Sequence, residues 1–89
     1  MSEEKNNKGE LIGKVTHYFN KINVAVIELT EEGLKKGEKI RIQGGDREFE
    51  QKVESMQVEH EEIESAKKGH SVGTKVDEPV REGYIVYKI

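Results

Sequence analysis

The side chains best suited to chemistry gather where the first extended segment of the sequence ends, at His17, Tyr18, Phe19 and Lys21. An aromatic ring beside cations at a hairpin tip suits stacking on a nucleobase together with contact to a phosphate. The alternative is structural, because Phe19, and Tyr18 with it, could simply close one end of the fold. The first interpretation predicts a binding surface at His17, Tyr18 and Lys21.

A second candidate surface is basic. Arg41 lies in a segment of alternating apolar and polar residues near Lys39, and Arg47 follows across a glycine turn. The three cations could form a modest basic strip on the solvent side of a hairpin. Three carboxylates between residues 46 and 50 lie alongside. Mutual ion pairing, which adds little stability at a surface, is therefore the alternative.

The motifs of common enzyme classes are incomplete. Residues 69–75 place their glycines too close together for a phosphate-binding loop, and their Thr-Lys order is reversed. Residues 60–64 begin like a HExxH zinc motif but carry Glu64 in place of the second histidine. The candidate serine nucleophiles have no base at a recognisable spacing. The sequence therefore predicts a non-enzymatic chain without nucleotide hydrolysis, cofactor or metal.

Composition sets the other bounds. At 89 residues, 33% of them hydrophobic, the chain allows one domain with a small core. Its 15 basic and 18 acidic residues nearly cancel, to a net charge of -3, so no global field favours nucleic acid or membranes. Cysteine is absent, and no apolar run approaches the ~20 residues of a membrane helix. These features predict a soluble, cytoplasmic protein.

The elements that would position these side chains are short strands. Residues 1–9 are polar and predict a mobile tail, and residues 10–89 predict one domain. Residues 61–68 could form one helical turn at most. Residues 23–29 are apolar on both faces, which predicts a strand covered on both sides or lying at a barrel seam. The expected strands cover residues 11–19, 23–29, 38–43, 47–53, 71–76 and 84–89, with a further segment at 56–58.

One spacing recurs three times: an apolar residue, two polar residues, a glycine, two residues, and an apolar residue that opens a strand. The glycines are Gly37, Gly69 and Gly83, and each is expected to take positive φ in a tight turn. The apolar positions change parity between Val53 and Met56, which predicts a bulge or sharp bend between them. A small sheet of six or seven such strands avoids exposed edges best by closing on itself.

Five segments of the sequence occur in an order that is known from one protein family. They are Gly13-Lys14-Val15-Thr16-His17-Tyr18-Phe19, Leu34-x-x-Gly37-x-x-Ile40-x-Ile42, Val53-Glu54-Ser55-Met56-Gln57, Ala66-x-x-Gly69-x-x-Val72-Gly73 and Val80-x-x-Gly83-x-x-Val86. In this order they resemble the second domain of translational GTPases. Over residues 10–89 the chain is similar to a free-standing, translation elongation factor-like protein of prokaryotes. One departure is Tyr84, where the family commonly has Asp.

The resemblance implies a closed Greek-key β-barrel of the elongation factor Tu domain 2 type. It implies a binding module that contacts structured RNA, either ribosomal RNA or tRNA. It adds Glu54 and Gln57, whose segment lies near the tRNA acceptor end in elongation factor Tu. The chain is also expected to be a monomer. The rival is a protein-interaction adaptor that docks on a separate enzyme or GTPase, which the balanced charge suits better. The expected RNA-binding residues are His17, Tyr18, Lys21, Arg41, Arg47, Glu54 and Gln57.

Overall fold

The computed structural model describes residues 9–45, 47–59 and 61–89, and these residues form β-strands and turns without a helix. The all-β class is therefore confirmed. The tail expected before Gly9 lies outside the described residues. Within them there is no helix that could cross a membrane. The ten strands are β1 (Glu10–Phe19), β2 (Val24–Leu29), β3 (Leu34–Lys35), β4 (Lys39–Gly44), β5 (Arg47–Lys52), β6 (Met56–Val58), β7 (Glu61–Ile63), β8 (Ser65–Ala66), β9 (Ser71–Lys75) and β10 (Ile85–Lys88).

The turns form where the sequence predicts them. Gly37, Gly69 and Gly83 have φ angles of 95°, 96° and 94°, and a strand opens two residues after each. Asn23 has a φ of 58° in the turn between β1 and β2. The helical turn expected within residues 61–68 is wrong, because β7 and β8 occupy that segment and pair with β6 and β3.

The main sheet is strongly curled. Its eight strands run in the order β5-β4-β10-β1-β2-β9-β6-β7, and β3 pairs separately with β8. Gln51 on β5 donates a hydrogen bond of 2.9 Å from Nε2 to the main-chain oxygen of Lys75 on β9. These strands are five places apart in the order, so a flat sheet would separate them by about 24 Å at ~4.8 Å per strand. The sheet therefore curls around its own buried face.

The expectation of a closed Greek-key barrel is wrong. Strands β5 and β7 end the sheet, and within the described chain no main-chain ladder joins them. Strand β5 pairs with β4 on one side and ends at Lys52. The side chain of Gln51 takes the place of a ladder there: besides its bond to Lys75, its Oε1 accepts a 2.8 Å bond from the main-chain nitrogen of Asp77. The sheet is thus bridged by one side chain rather than closed by paired backbones.

The core lies inside the curl. Strand β2 has a central place in it, between β1 and β9, and directs Ala25, Ile27 and Leu29 inwards. Gln51 and Thr74 are the polar side chains buried with the apolar ones in the described chain. The apolar core consists of Ile12, Val15, Ala25, Ile27, Leu29, Leu34, Ile40, Ile42, Val53, Met56, Ala66, Val72, Val76, Val80 and Val86.

Irregularities in the strands decide which side chains face outwards. The pairing of β1 with β2 shifts register between Val15 and His17, so that His17 and Phe19 lie on the outer face while Tyr18 packs towards the core. The parity change expected between Val53 and Met56 is absorbed by a break between β5 and β6, which leaves both side chains buried.

Candidate functional site

An open groove crosses the outer face of the sheet beside the β1–β2 turn. Its volume is about 360 Å³. Most of its lining is apolar and comes from the end of β1, the turn after it, the outer face of β2 and the end of β6. The polar lining residues come from β6, β9 and the turn after β6. We call it the outer groove. The residues that line it are Phe19, Ile22, Val24, Val26, Gln57, Val58, Glu59, Ser71 and Gly73.

The sequence of β2 builds the floor of the outer groove. Val24 and Val26 alternate with the buried core residues of the strand, so they must lie on its outer face, where they are half-buried. Gly73 on β9 pairs with Val26 and adds no side chain there. A Cβ atom at Gly73 would come within 3.2 Å of Val24 Cγ1. The outer valines of β2 and the missing side chain at Gly73 together form a shallow apolar surface.

The rim of the outer groove carries two exposed apolar side chains. Phe19 is 46% exposed and Ile22 is 59% exposed. Leu11 and Ile89, the other large apolar side chains exposed in the described chain, lie near the opposite end of β1. Exposed apolar surface with a polar border is typical of a site where another protein binds.

The residues predicted from the sequence to form one aromatic binding surface lie on different faces of the sheet. The His17 ring meets the Phe19 ring edge-on at 4.4 Å between centroids, and His17 Nδ1 lies 3.5 Å from a carboxylate oxygen of Glu82. Tyr18 is half-buried against the core, and its hydroxyl donates a 3.3 Å bond to Asn23 Oδ1. Tyr18 therefore helps to close the end of the sheet, whereas Phe19 stays exposed. Lys21 is exposed in the turn.

The basic strip is charge-balanced. Arg41 Nη2 lies 2.7 Å from Glu50 Oε2, and Arg41 Nε lies 3.2 Å from Glu48 Oε2. Lys39 Nζ lies 3.6 Å from Glu50 Oε1, and Arg47 donates a 3.0 Å bond to Glu78. Lys39 and Arg41 therefore face carboxylates across the β4–β5 hairpin, as the ion-pairing alternative expects, whereas Arg47 contacts a carboxylate that follows β9.

Because of this pairing, the pKa of Glu50 should depend on Arg41. The hydrogen bond from Arg41 is the largest cause that holds the pKa of Glu50 below its ordinary value of 4.5, and the charges of Arg41 and Lys39 act in the same direction against partial desolvation. Because the folded-state pKa is depressed, the stabilising effect is present above the ordinary pKa and is lost as pH falls through the folded-state value.

We expect Arg41→Gln to raise the pKa of Glu50, measured by carbon-detected NMR of the side-chain carboxyl. Lys39→Gln, which removes the longer contact, should raise it less. An unchanged Glu50 pKa in Arg41→Gln would contradict the assignment of this ion pair.

The remaining predicted site residues are not brought together. Gln57 lines the outer groove, whereas Glu54 borders another depression with Lys35, Lys36 and Lys52. His60, the first residue of the incomplete zinc motif, lies outside the described residues. Across residues 9–45, 47–59 and 61–89 there is no cluster of three or more acidic or histidine side chains that could hold a metal ion.

The chain is similar in sequence to one part of a larger protein named as a protease. No protein-family model matches the chain. The chain is 46% identical over 77 residues to an uncharacterized protease of Methanocaldococcus jannaschii, and the match covers 85% of this chain. The same match covers 19% of the protease, so the chain spans about a fifth of the length of this curated relative.

Two solved structures share the fold of this chain. The selenomethionine variant of the C-terminal domain of a candidate U32 peptidase from Geobacillus thermoleovorans superposes with a TM-score of 0.83 at 22% identity, covering 89% of this chain and 99% of that domain. A second crystal structure of the same domain gives 0.82 at 22% identity, with 90% and 92% covered. The fold is shared with this peptidase domain.

The expected relationship to translation factors is wrong. The sequence match is to a protease, and the fold match is to a peptidase C-terminal domain. The RNA-binding function assigned through that relationship is wrong with it. Glycine corners are a local requirement of tight turns between short strands, so they recur in small all-β folds of different families.

Sequence reasoning missed the aliphatic residues of the outer groove. Ile22 lies in a turn, and Val24 and Val26 belong to a run that predicts a strand covered on both sides or lying at a barrel seam. The sequence indicates this surface at residues 23–29, because a strand with two apolar faces needs another element packed on each face. The described chain covers only the inner face fully.

Proposed function

We propose that this chain is a non-catalytic protein-interaction domain of a U32-peptidase-type protein, and that an apolar segment of the peptidase portion docks in the outer groove. Of the two functions expected from the sequence, docking on an enzyme or GTPase is the one that the peptidase similarities support, with a peptidase as the enzyme. The non-enzymatic character and the monomeric state stay predictions, as do the single domain and the cytoplasmic location.

The observation that carries this proposal is the position of Phe19 and Ile22. Both are exposed at the rim of one groove whose floor is formed by Val24 and Val26. Burying an exposed Phe or Ile side chain contributes about 1.5–3 kcal/mol. A partner that covers this rim would therefore gain most of its binding energy from a few apolar contacts surrounded by polar residues.

The size of the relative supports the choice of partner. The segment similar to this chain makes up 19% of the Methanocaldococcus jannaschii protease, so most of that protein lies outside it. A small domain within a larger chain meets the rest of that chain through interfaces that resemble those between separate proteins. We therefore place the peptidase portion, rather than an unrelated protein, on the outer groove.

The test is a binding measurement with the Methanocaldococcus jannaschii protease lacking its matched segment, after circular dichroism has shown that this partner is folded. We expect this chain to bind it, and the double variant Phe19→Ser with Ile22→Ser to bind at least about 30-fold more weakly, as for the loss of an interface hot spot. The intact protease should bind less, because its own segment occupies the surface.

The matched control is Leu11→Ser, since Leu11 is 43% exposed and Phe19 is 46% exposed. Leu11 lies near the other end of β1 and should leave the affinity unchanged within about twofold. Equal binding by the double variant, or equal loss in the control, would overturn the assignment of the outer groove.

A further inference from the structure

A second depression lies between the β4–β5 turn and the segment that leads into β10. Its volume is about 520 Å³. It combines two guanidinium groups with apolar and aromatic surface, and it shares no lining residue with the outer groove. The residues that line it are Gly45, Arg47, Pro79, Val80, Arg81 and Tyr84.

The two guanidinium groups in this depression have N–H donors that the described carboxylates do not occupy. The sequence has three arginines. Arg41 contacts two carboxylates, and Arg47 contacts Glu78 through Nη1 at 3.0 Å. Arg81 forms no ion pair with the carboxylates of residues 9–45, 47–59 and 61–89. A guanidinium has five N–H donors, so Arg47 and Arg81 retain donors for another acceptor.

The charge of the depression suits a single negative charge. Glu78 balances one of the two arginines, which leaves about one positive charge among the described groups. Asp46, beside Arg47 in sequence, lies outside the described residues. A carboxylate matches both this charge and the fork of N–H donors that arginine presents. A doubly charged phosphate would meet additional repulsion from Glu78.

Apolar surface stands beside the guanidinium groups. The ring of Tyr84 lies against Gly44, so closely that a Cβ atom there would overlap ring atoms Cδ1 and Cε1. The ring therefore packs on the main chain of Gly44 at the edge of the depression. Pro79 and the buried Val80 continue the same wall. An apolar side chain next to the carboxylate would therefore find a surface to pack on.

We infer that this depression binds the C-terminal carboxylate of a peptide whose last residue is apolar, with Arg47 and Arg81 holding the carboxylate and Tyr84 packing on the side chain. Capture of a chain terminus by a few oriented donors is a known mode of peptide recognition. The inference goes beyond the proposed function and does not depend on it, although peptide hydrolysis creates such termini.

The test is an NMR titration of the ¹⁵N-labelled chain with N-acetyl-alanyl-phenylalanine and with the amide of the same dipeptide. We expect the free acid to shift the signals of Gly45, Arg47, Arg81 and Tyr84, and the amide to shift them little. Arg81→Gln should weaken binding about tenfold, as for the loss of a hydrogen bond to a charged group.

Two controls separate the alternatives. Lys68→Gln removes an exposed cation from a different turn and should leave the affinity unchanged. Acetate alone at the same concentration should give smaller shifts, because it lacks the apolar side chain. Equal binding of acid and amide, equal binding of acetate and dipeptide, or full binding by Arg81→Gln would each overturn the inference.

Discussion

Replacing Gly13 with alanine should destabilise the domain by about 3 kcal/mol or more, as for overpacking at a site that cannot relax. Gly13 lies on β1 opposite Leu29 of β2. A Cβ atom at this position would overlap the main-chain oxygen and carbon of Glu28. Those are backbone atoms of a central strand, so no side-chain rotation can relieve the contact. Either β1 separates from β2 or the sheet loses its register.

The measurement is urea unfolding of Gly13→Ala beside Gly45→Ala. A Cβ atom at Gly45 would meet nothing within 4 Å, so that control should change the free energy of unfolding by no more than about 0.5 kcal/mol. Equal midpoints for the two variants would show that the close approach of β1 to β2 is not as described.

Gln51→Leu should lower the free energy of unfolding by about 2–3 kcal/mol, because it leaves two main-chain groups without their partner. Nε2 of Gln51 bonds to the Lys75 oxygen at 2.9 Å, and Oε1 accepts from the Asp77 nitrogen at 2.8 Å. Leucine has a similar volume, so the loss would report the hydrogen bonds rather than a cavity. The side-chain bridge from the edge strand β5 to the end of β9 and the residues that follow it would be lost.

Two further variants sharpen this second experiment. Gln51→Glu keeps the acceptor for Asp77 but removes the donor to Lys75, so its free energy of unfolding should lie below that of the unmodified chain. Gln57→Leu changes an exposed glutamine on β6 and should have little effect on unfolding. If Gln51→Leu unfolded at the same urea concentration as Gln57→Leu, the side-chain bridge would be unimportant.

The longer strands and the glycine turns could be predicted from the sequence because their causes are local, whereas the short strands β3, β7 and β8 were not expected. Positive φ at Gly37, Gly69 and Gly83 follows from the residue type and its place before an apolar run. Residues 38–43 alternate between apolar and polar, and β4 covers Lys39–Gly44 with Ile40 and Ile42 buried. Each inference needed only a few neighbouring residues.

The open edges of the sheet and the similarity to a peptidase domain could not be predicted from neighbouring residues. Whether the sheet closes depends on pairing between β5 and strands far along the chain, and Gln51 fills that place with a side chain. The polar Gln51 between Phe49 and Val53 was the visible sign that this face differs. The glycine corners report the turns, which many small all-β domains share, and so they do not identify a family.

The outer groove could not be predicted from the sequence for a different reason. A strand with two apolar faces predicts a packed element on each face, but the sequence does not reveal whether the second element belongs to the same chain. In the structure Val24 and Val26 line an open groove. The proposed peptidase partner is what would complete their burial.

The most direct test is methyl-detected NMR of this chain, labelled at valine and isoleucine, with the Methanocaldococcus jannaschii protease lacking its matched segment. We expect the signals of Ile22, Val24, Val26 and Val58 to shift or broaden on binding, with Ile89 unchanged. Binding that perturbs Ile89 but leaves the groove signals unchanged, or no binding to the folded partner, would contradict docking through the outer groove.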